Sequence, residues 1–381
     1  MRKLALAAFA VALGLGMTEL VLRQLPPSVL GFEFEDGTFR GPREFREDAS
    51  TNRMGFHDVE HGAKRPGSFR VLLLGDSYVA ALSMPTADTV GRRLEERLRA
   101  MAGRDVEVVS IGRPGWGQAD ELRALSRIGR RVRPDLVLDL ALTFNDLVDN
   151  SPALDRQSDE QLARIARLRP GWTRIPAERA PLFWFRSSVL NRLISHRLAL
   201  LLARPDGEIP LDYRVYETPA SPEWLDAERR TEELIGRLRA ESARLGARFA
   251  VAAASTPHGS RGEKGLAELL AAYPAMRGRA WDLGQPDRWL GDSCRRAGIP
   301  FVALEPTFRR LTAAGQTLHW KFDGHWNRDG NAVAGRELAG FVAPYVQEAV
   351  AAAQAPAEAA DPACAFCQPS RSGGKGARAR E

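Results

Sequence analysis

Three side chains of this 381-residue chain could together carry out nucleophilic catalysis. Ser77 ends the tripeptide Gly75-Asp76-Ser77, and near the C-terminus His325 follows Asp323 by two positions. A neutral histidine can take the proton of a serine hydroxyl, and a nearby carboxylate can hold the imidazole in the required tautomer. Ser77 also follows a predicted strand, where free backbone N–H groups favour the negative charge that develops on attack. Each residue alone is more often structural, so the prediction depends on their combination.

Two further residues could supply hydrogen-bond donors to that charge. Gly115 lies in the glycine-rich turn 112–117, and without a side chain its N–H could approach an oxyanion closely. Asn145 follows another predicted strand and offers a side-chain amide. Taken alone, an ordinary tight turn and an asparagine that ties loops together explain these residues equally well.

Other combinations of reactive residues are weaker. His319 is a competing base, but no acid precedes it by two or three positions. The set of His319, Asp323 and His325 matches no common zinc spacing, and no metal or organic cofactor is expected. Cys364 and Cys367 form an isolated CxxC in a polar tail, which favours a surface pair or an incidental disulfide.

Strands and helices alternate along the chain, which is typical of a three-layer α/β/α sandwich around a parallel sheet. Continuous apolar runs predict strands that are buried on both faces, at 69–74, 106–111, 134–142, 247–254 and 299–304. Amphipathic spacing predicts helices starting near residue 90 and at 118–131, 223–245 and 329–353. In such a sheet ligands bind at the carboxyl ends of the strands, where the reactive residues fall.

The chain order Ser77, Gly115, Asn145, His325 resembles the SGNH (GDSL-like) hydrolase superfamily, which is named after these four residue types. The resemblance covers about 69–350, apart from an insertion. It implies a flavodoxin-like parallel sheet and no cofactor. It also implies that Ser77 is the nucleophile and that Asp323 and His325 complete a catalytic triad. The oxyanion hole would consist of the N–H groups of Ser77 and Gly115 and the amide of Asn145.

Two positions depart from the pattern of the family. Thr143 stands where the third motif usually has glycine, which would narrow the floor of the pocket. Asp323 and His325 are two positions apart, where the family usually has three. The shorter spacing, with Trp326 following, is similar to the Asp-x-His-Trp of alginate-acetylation enzymes that share this fold. Acetyl transfer therefore stays open beside hydrolysis.

The rest of the chain suggests an organisation in segments. We expect a signal anchor or signal peptide at residues 1–23, a linker that packs on the domain at 24–68 and the hydrolase-like domain at 69–353. Within this domain we expect an inserted cap at 147–222, and after it a disordered tail at 354–381. The cationic start followed by an apolar run favours an exported, membrane-anchored protein, with cleavage and a secreted or periplasmic location as the alternative.

Composition limits the partners. The net charge of +6 comes with cations that are interleaved with acids, as in residues 92–97, and this pattern is typical of a solvated surface. A nucleic-acid partner is therefore not expected. The expected substrate is a small acyl ester or an acylated glycan, on whose sugar rings Trp116, Trp320 and Trp326 could stack. The expected function is that of an exported serine esterase, with an O-acetyltransferase or a non-catalytic glycan-binding protein as alternatives; the acyl length and the oligomeric state stay open.

Overall fold

The computed structural model describes residues 2–24, 33–35, 38–40, 51–102, 105–168, 209–321 and 323–354. The strands are β1 (Glu33–Glu35), β2 (Thr38–Arg40), β3 (Phe69–Gly75), β4 (Val106–Gly112), β5 (Leu136–Ala141), β6 (Glu217–Thr218), β7 (Arg248–Ala253), β8 (Ala280–Trp281) and β9 (Phe301–Ala303). The helices are α1 (Arg2–Gln24), α2 (Ser77–Ala80), α3 (Val90–Ala102), α4 (Gln118–Val132), α5 (Asp146–Asn150), α6 (Pro152–Leu168), α7 (Pro222–Arg244), α8 (Pro257–Arg261), α9 (Glu263–Ala272), α10 (Gln285–Ala297), α11 (Glu305–Ala313) and α12 (Arg328–Gln354). The tail with its cysteine pair lies outside the described residues, as does much of the expected cap.

Five parallel strands form the central sheet in the order β4-β3-β5-β7-β9. Counted along the chain this is the order 2-1-3-4-5, which is the flavodoxin-like arrangement. The prediction of a three-layer α/β fold with a parallel sheet is confirmed. The order reverses between β3 and β5, so the loops after these two strands diverge and leave a crevice at the carboxyl edge of the sheet.

The sheet is buried on both faces because alternate residues of each strand serve different helix layers. Val71 and Leu73 of β3 belong to a core cluster that also contains side chains of α3 and α12. Leu72 and Leu74 belong to a second cluster, with side chains of α4, α7 and α10. This explains why the strands appear in the sequence as continuous apolar runs.

Glycines at the ends of two neighbouring strands allow the chain after β3 to pack closely on the sheet. Gly75 and Gly112 are register partners in β3 and β4. A Cβ on Gly112 would lie 2.7 Å from the carbonyl oxygen of Asp76 and 2.9 Å from the backbone nitrogen of Ala80. A Cβ on Gly75 would lie 2.4 Å from Cγ2 of Val79. Only glycine at these two positions leaves room for α2 in its observed place.

The N-terminal segment forms the single helix α1. Among the helices of the described residues, none combines the length and the apolar character needed to cross a membrane. The membrane span expected at residues 1–23 is therefore not found there, and export stays a prediction.

The described parts of the expected cap, 147–168 and 209–222, form a small core of their own. Leu147, Val148 and Leu154 pack with Leu211 and Tyr216, and the cluster extends to the start of α7. The middle of the expected cap, which includes Trp172 and residues 183–185, lies outside the described residues.

The close packing at Gly112 leads to a first testable prediction. Gly112→Ala should lower the free energy of unfolding by about 1–3 kcal/mol, because the new methyl group overpacks the contact with α2. The matched control is Gly236→Ala, since Gly236 is exposed within α7 and a Cβ there meets nothing within 4 Å. That change should stabilise the protein by up to about 1 kcal/mol. Urea denaturation measures the free energy of unfolding of both variants. An equal change in the two would contradict the packing argument.

Candidate active site

Ser77 is the first residue of the short helix α2, directly after β3 at the carboxyl edge of the sheet. Asp76 caps this helix, because its Oδ1 accepts a hydrogen bond of 2.8 Å from the backbone N–H of Tyr78. Oδ2 of the same carboxylate lies 3.2 Å from Oγ of Ser77. The turn into α2 therefore holds the serine hydroxyl at the crevice beside the reversal of strand order.

The loop before α12 brings an imidazole to this hydroxyl. Nε2 of His325 lies 2.8 Å from Oγ of Ser77, and Nδ1 lies 3.0 Å from Oδ1 of Asp323. With the proton of the neutral ring on Nδ1, the ring donates to the carboxylate and accepts the serine proton at Nε2. The structure thus brings Ser77, His325 and Asp323 together in the order that the sequence predicted.

The charges around the imidazole favour its protonated form. Burial lowers the pKa of His325, but the hydrogen bond and the charge of Asp323, together with the charge of Asp76, outweigh it, and the net effect raises the pKa. Burial in turn raises the pKa of Asp76, against its hydrogen bonds and the charge of His325. The protonated form of His325 is therefore stabilised within the site.

The two expected oxyanion donors lie in neighbouring loops of the carboxyl edge. Gly115 is exposed in the turn between β4 and α4, with φ of +74°, a conformation that favours glycine. Asn145 precedes α5, and its Nδ2 donates to Oδ2 of Asp149 over 3.2 Å. An amide nitrogen carries two hydrogens, so this bond leaves Asn145 one donor for a substrate oxygen. The oxyanion role of both residues stays a prediction.

Buried polar side chains join these two loops to each other. Nε2 of Gln118, at the start of α4, donates to Oδ2 of Asp146 over 2.7 Å. Nδ2 of Asn150 donates to Oε1 of Gln118 over 2.6 Å, and Oδ1 of Asn150 accepts from the backbone N–H of Ala119 at 3.2 Å. The loop that carries Gly115 is therefore held against the helix that follows Asn145.

A pair of buried acids lies beneath this network. Asp139 of β5 and Glu121 of α4 are both fully buried. Burial raises the pKa of Asp139 to about 7, and burial together with the charge of Asp139 raises the pKa of Glu121 well above its usual range. Burial disfavours the charged form of both carboxyl groups, and their mutual repulsion further disfavours ionisation of both at once.

Residues 51–61 hold the other end of α2. Nδ1 of His57 lies 2.9 Å from the carbonyl oxygen of Ala80, the last residue of α2, and Nε2 lies 3.0 Å from Oγ1 of Thr86. Asp58, also buried, accepts from the backbone N–H of Ser110 over 2.8 Å. This part of the expected linker is therefore a structured element of the domain that supports the site.

His319 does not compete for the role of the base. It is buried, its Nε2 lies 3.1 Å from the carbonyl oxygen of Ser255, and burial lowers its pKa to about 3. Within the described residues, no three His, Cys, Asp or Glu side chains are arranged to hold a metal ion.

The expectation that three tryptophans could stack on sugar rings is wrong for two of them. Trp320 and Trp326 are 7% and 2% exposed, because both pack into the core beside the loop that carries His325. Trp116 is half-buried, and its ring packs edge-on against Phe56. Only Trp116 of the three keeps surface for a ligand.

Thr143 has a structural partner that the sequence did not reveal. Its Oγ1 donates to Oδ1 of Asp287 on α10 over 2.7 Å, and its side chain is buried. The hydroxyl thus ties the end of β5 to a helix of the neighbouring layer. Sequence reasoning also missed Gln118, Asn150 and His57, since polar residues in loops show their partners only once the chain is folded.

Comparisons with known proteins support only a likeness in structure. No family model matches the chain, and no curated protein matches it. Among solved structures it is similar to the acetyl xylan esterase AlAXEase, with 11% identity and a TM-score of 0.39 over 72% of this chain and 98% of that chain. It is similar to the lipase/acylhydrolase from Enterococcus faecalis, with 12% identity and a TM-score of 0.38 over 72% and 96%. It is also similar to the acetylxylan esterase Axe2 from Geobacillus stearothermophilus, with 13% identity and a TM-score of 0.39 over 73% and 94%.

At TM-scores below 0.5 these likenesses carry no argument about function. The function is therefore inferred from the geometry of the site itself.

The three histidines at this edge of the sheet should titrate at well-separated pH values. The pKa of His325 is raised, whereas burial and the charge of Arg261 lower the pKa of His258 to about 4, and that of His319 is about 3. In NMR titrations of the ring protons we expect His325 to titrate above about pH 6.5 and the other two to stay neutral down to acid pH. Asp323→Asn should move the midpoint of His325 downward, because it removes the charge that stabilises the imidazolium. An unchanged midpoint would show that Asp323 does not control the ring.

Proposed function

We propose that the protein is a serine hydrolase of acyl esters, with Ser77 as the nucleophile, His325 as the general base and Asp323 as the residue that orients the imidazole. The observation that carries this proposal is the continuous chain of contacts, 2.8 Å from Ser77 to His325 and 3.0 Å from His325 to Asp323. A serine hydroxyl within hydrogen-bond distance of an imidazole that a carboxylate orients is suited to attack on a carbonyl carbon.

The first half of the reaction transfers the acyl group to the serine. Oγ of Ser77 forms a bond to the ester carbonyl carbon while its proton passes to Nε2 of His325, and the carbonyl oxygen becomes an oxyanion. When this intermediate collapses, the bond to the alcohol oxygen breaks and the imidazolium gives its proton to that oxygen. An alcohol leaves, and the acyl group stays on Ser77 as an ester.

The second half releases the acid. His325 takes a proton from water as the water oxygen bonds to the acyl carbon. The imidazolium then gives this proton to Oγ of Ser77 as the acyl–serine bond breaks. In both halves the oxyanion would be held by the N–H groups of Ser77 and Gly115 and by the free amide hydrogen of Asn145. Export of the protein and a small acyl ester or acylated glycan as its substrate stay predictions.

Covalent labelling tests the nucleophile directly. A fluorophosphonate probe should label the wild-type protein, and Ser77→Ala should abolish the labelling, because the probe reacts only with an activated serine. The matched control is Ser242→Ala, since Ser242 is also buried but donates to the carbonyl oxygen of Leu238 within α7. That variant should label like the wild type. A wild type that stays unlabelled beside a reactive control esterase would instead favour a non-catalytic binding protein.

The products decide between hydrolysis and transfer. With 4-nitrophenyl acetate as acyl donor, hydrolysis gives free acetate whether or not an oligosaccharide is present. Acetate that appears on the oligosaccharide, and disappears with Ser77→Ala, would identify an O-acetyltransferase with the same nucleophile.

Asn145 provides a test of the oxyanion hole. Asn145→Ala should lower kcat for 4-nitrophenyl acetate about 10²–10³-fold, with a much smaller change in KM, because the donor acts on charge that exists only in the transition state. The unfolding midpoint of the variant should stay near that of the wild type, as the bond that the Asn145 side chain makes within the described residues goes to the partly exposed Asp149. A loss of less than threefold in kcat would remove Asn145 from the oxyanion hole.

A further inference from the structure

We infer that Tyr78 is a positioning residue, which fixes the loop of His325 relative to the nucleophile and so keeps the imidazole aligned with Ser77. This inference rests on the proposed function, because the alignment matters only if Ser77 and His325 exchange a proton. It concerns a residue that the sequence motifs did not single out.

The contacts of Tyr78 connect α2, which begins with the proposed nucleophile and is here called the nucleophile helix, to the loop before α12 that carries His325, here called the base loop. Tyr78 follows Ser77 in α2, and its hydroxyl donates to the carbonyl oxygen of Gly324 over 3.0 Å. Gly324 lies between Asp323 and His325 in the chain. The tyrosine ring packs against the His325 ring, with centroids 5.0 Å apart and an angle of 41° between the planes. The side chain of Tyr78 thus contacts both the Gly324 peptide and the His325 ring, whose positions the proposed reaction requires.

The base loop needs such a contact because its central residue is a glycine. Gly324 has φ of +82°, and a glycine can adopt many other conformations. Backbone hydrogen bonds from Trp320 N–H to His325 O, at 2.8 Å, and from Gly324 N–H to Trp320 O, at 3.1 Å, close the turn. The carbonyl of Gly324 faces the nucleophile helix, and the Tyr78 hydroxyl is the donor that holds it there.

The surroundings of Tyr78 suit a fixed donor. Its side chain is 6% exposed, and the ring of Trp326 packs edge-on against it, with centroids 4.8 Å apart. Burial, with the charges of Asp76 and Asp323, raises the pKa of Tyr78 well above its usual range, so the hydroxyl keeps its proton. The backbone N–H of Tyr78 is also bonded to Asp76, which holds the backbone of Tyr78 in place at the start of α2.

Tyr78→Phe tests this inference because it removes the hydroxyl and keeps the ring. The variant should react with 4-nitrophenyl acetate about three- to tenfold more slowly in kcat, the range expected for one lost hydrogen bond, with KM little changed. A purely structural role would not alter the ionisation of His325. A positioning role should, since a looser loop weakens the contact with Asp323 that raises the pKa of His325.

The midpoint of the His325 titration, measured by NMR in wild type and variant, is therefore the decisive readout. The other groups that face this ring, Asp76 and His319, are unchanged in Tyr78→Phe, so a downward shift reports on the Asp323 contact. The NMR measurement needs no activity, which separates the two proposals. If the wild type fails to label at Ser77 the proposed function fails, whereas an unchanged midpoint and unchanged kcat in Tyr78→Phe overturn the positioning role alone.

The control for the replacement of a tyrosine by phenylalanine is Tyr345→Phe. Tyr345 lies on α12, and its ring is 5.4 Å from the guanidinium of Arg248, the first residue of β7. It is therefore at the amino end of the sheet, opposite the site. Tyr345→Phe should leave both kcat and the His325 midpoint unchanged, and a shift there equal to that in Tyr78→Phe would also overturn the inference.

Discussion

The contact between the Ser77 hydroxyl and the His325 imidazole determines what the rest of the molecule has to do. These residues are 248 positions apart in the chain and their side chains meet at 2.8 Å. A proton can pass between them only if the end of β3 and the loop before α12 are both held to within a fraction of an ångström. The sheet provides the common frame. Ser77 follows β3 directly, and His325 precedes α12, which packs on the same face of the sheet as α3.

Close backbone packing places Ser77 on this frame. Gly75 and Gly112 are paired at the ends of adjacent strands and have no side chains to keep α2 away. Polar contacts then hold the ends of α2, with Asp76 at its start and His57 at its last carbonyl. The helix is too short to be stable alone, so its position depends on these contacts rather than on helix propensity.

Charge at the site is arranged in two layers. Near the reacting atoms, Asp323 and Asp76 favour a protonated His325. Deeper in the core, Glu121 on α4 and Asp139 on β5 lie below the loops that carry Gly115 and Asn145, and burial raises the pKa of both carboxyl groups. The hydrogen bonds among Gln118, Asp146 and Asn150 connect those loops directly. Because these hydrogen bonds cross from one loop to the other, they restrict how the two loops can move relative to each other.

By itself, the sequence determined the succession of strands and helices, and with it the layered parallel sheet, because hydrophobic periodicity is a local property that each segment carries. It also supplied the residue types for the chemistry and their order in the chain. Only the tertiary structure decided which side chains meet. It buried Trp320 and Trp326, which the sequence suggested as ligand-binding surfaces, and it placed Tyr78 against Gly324. Such contacts depend on the packing of segments far apart in the chain, and no local pattern records the distance between them.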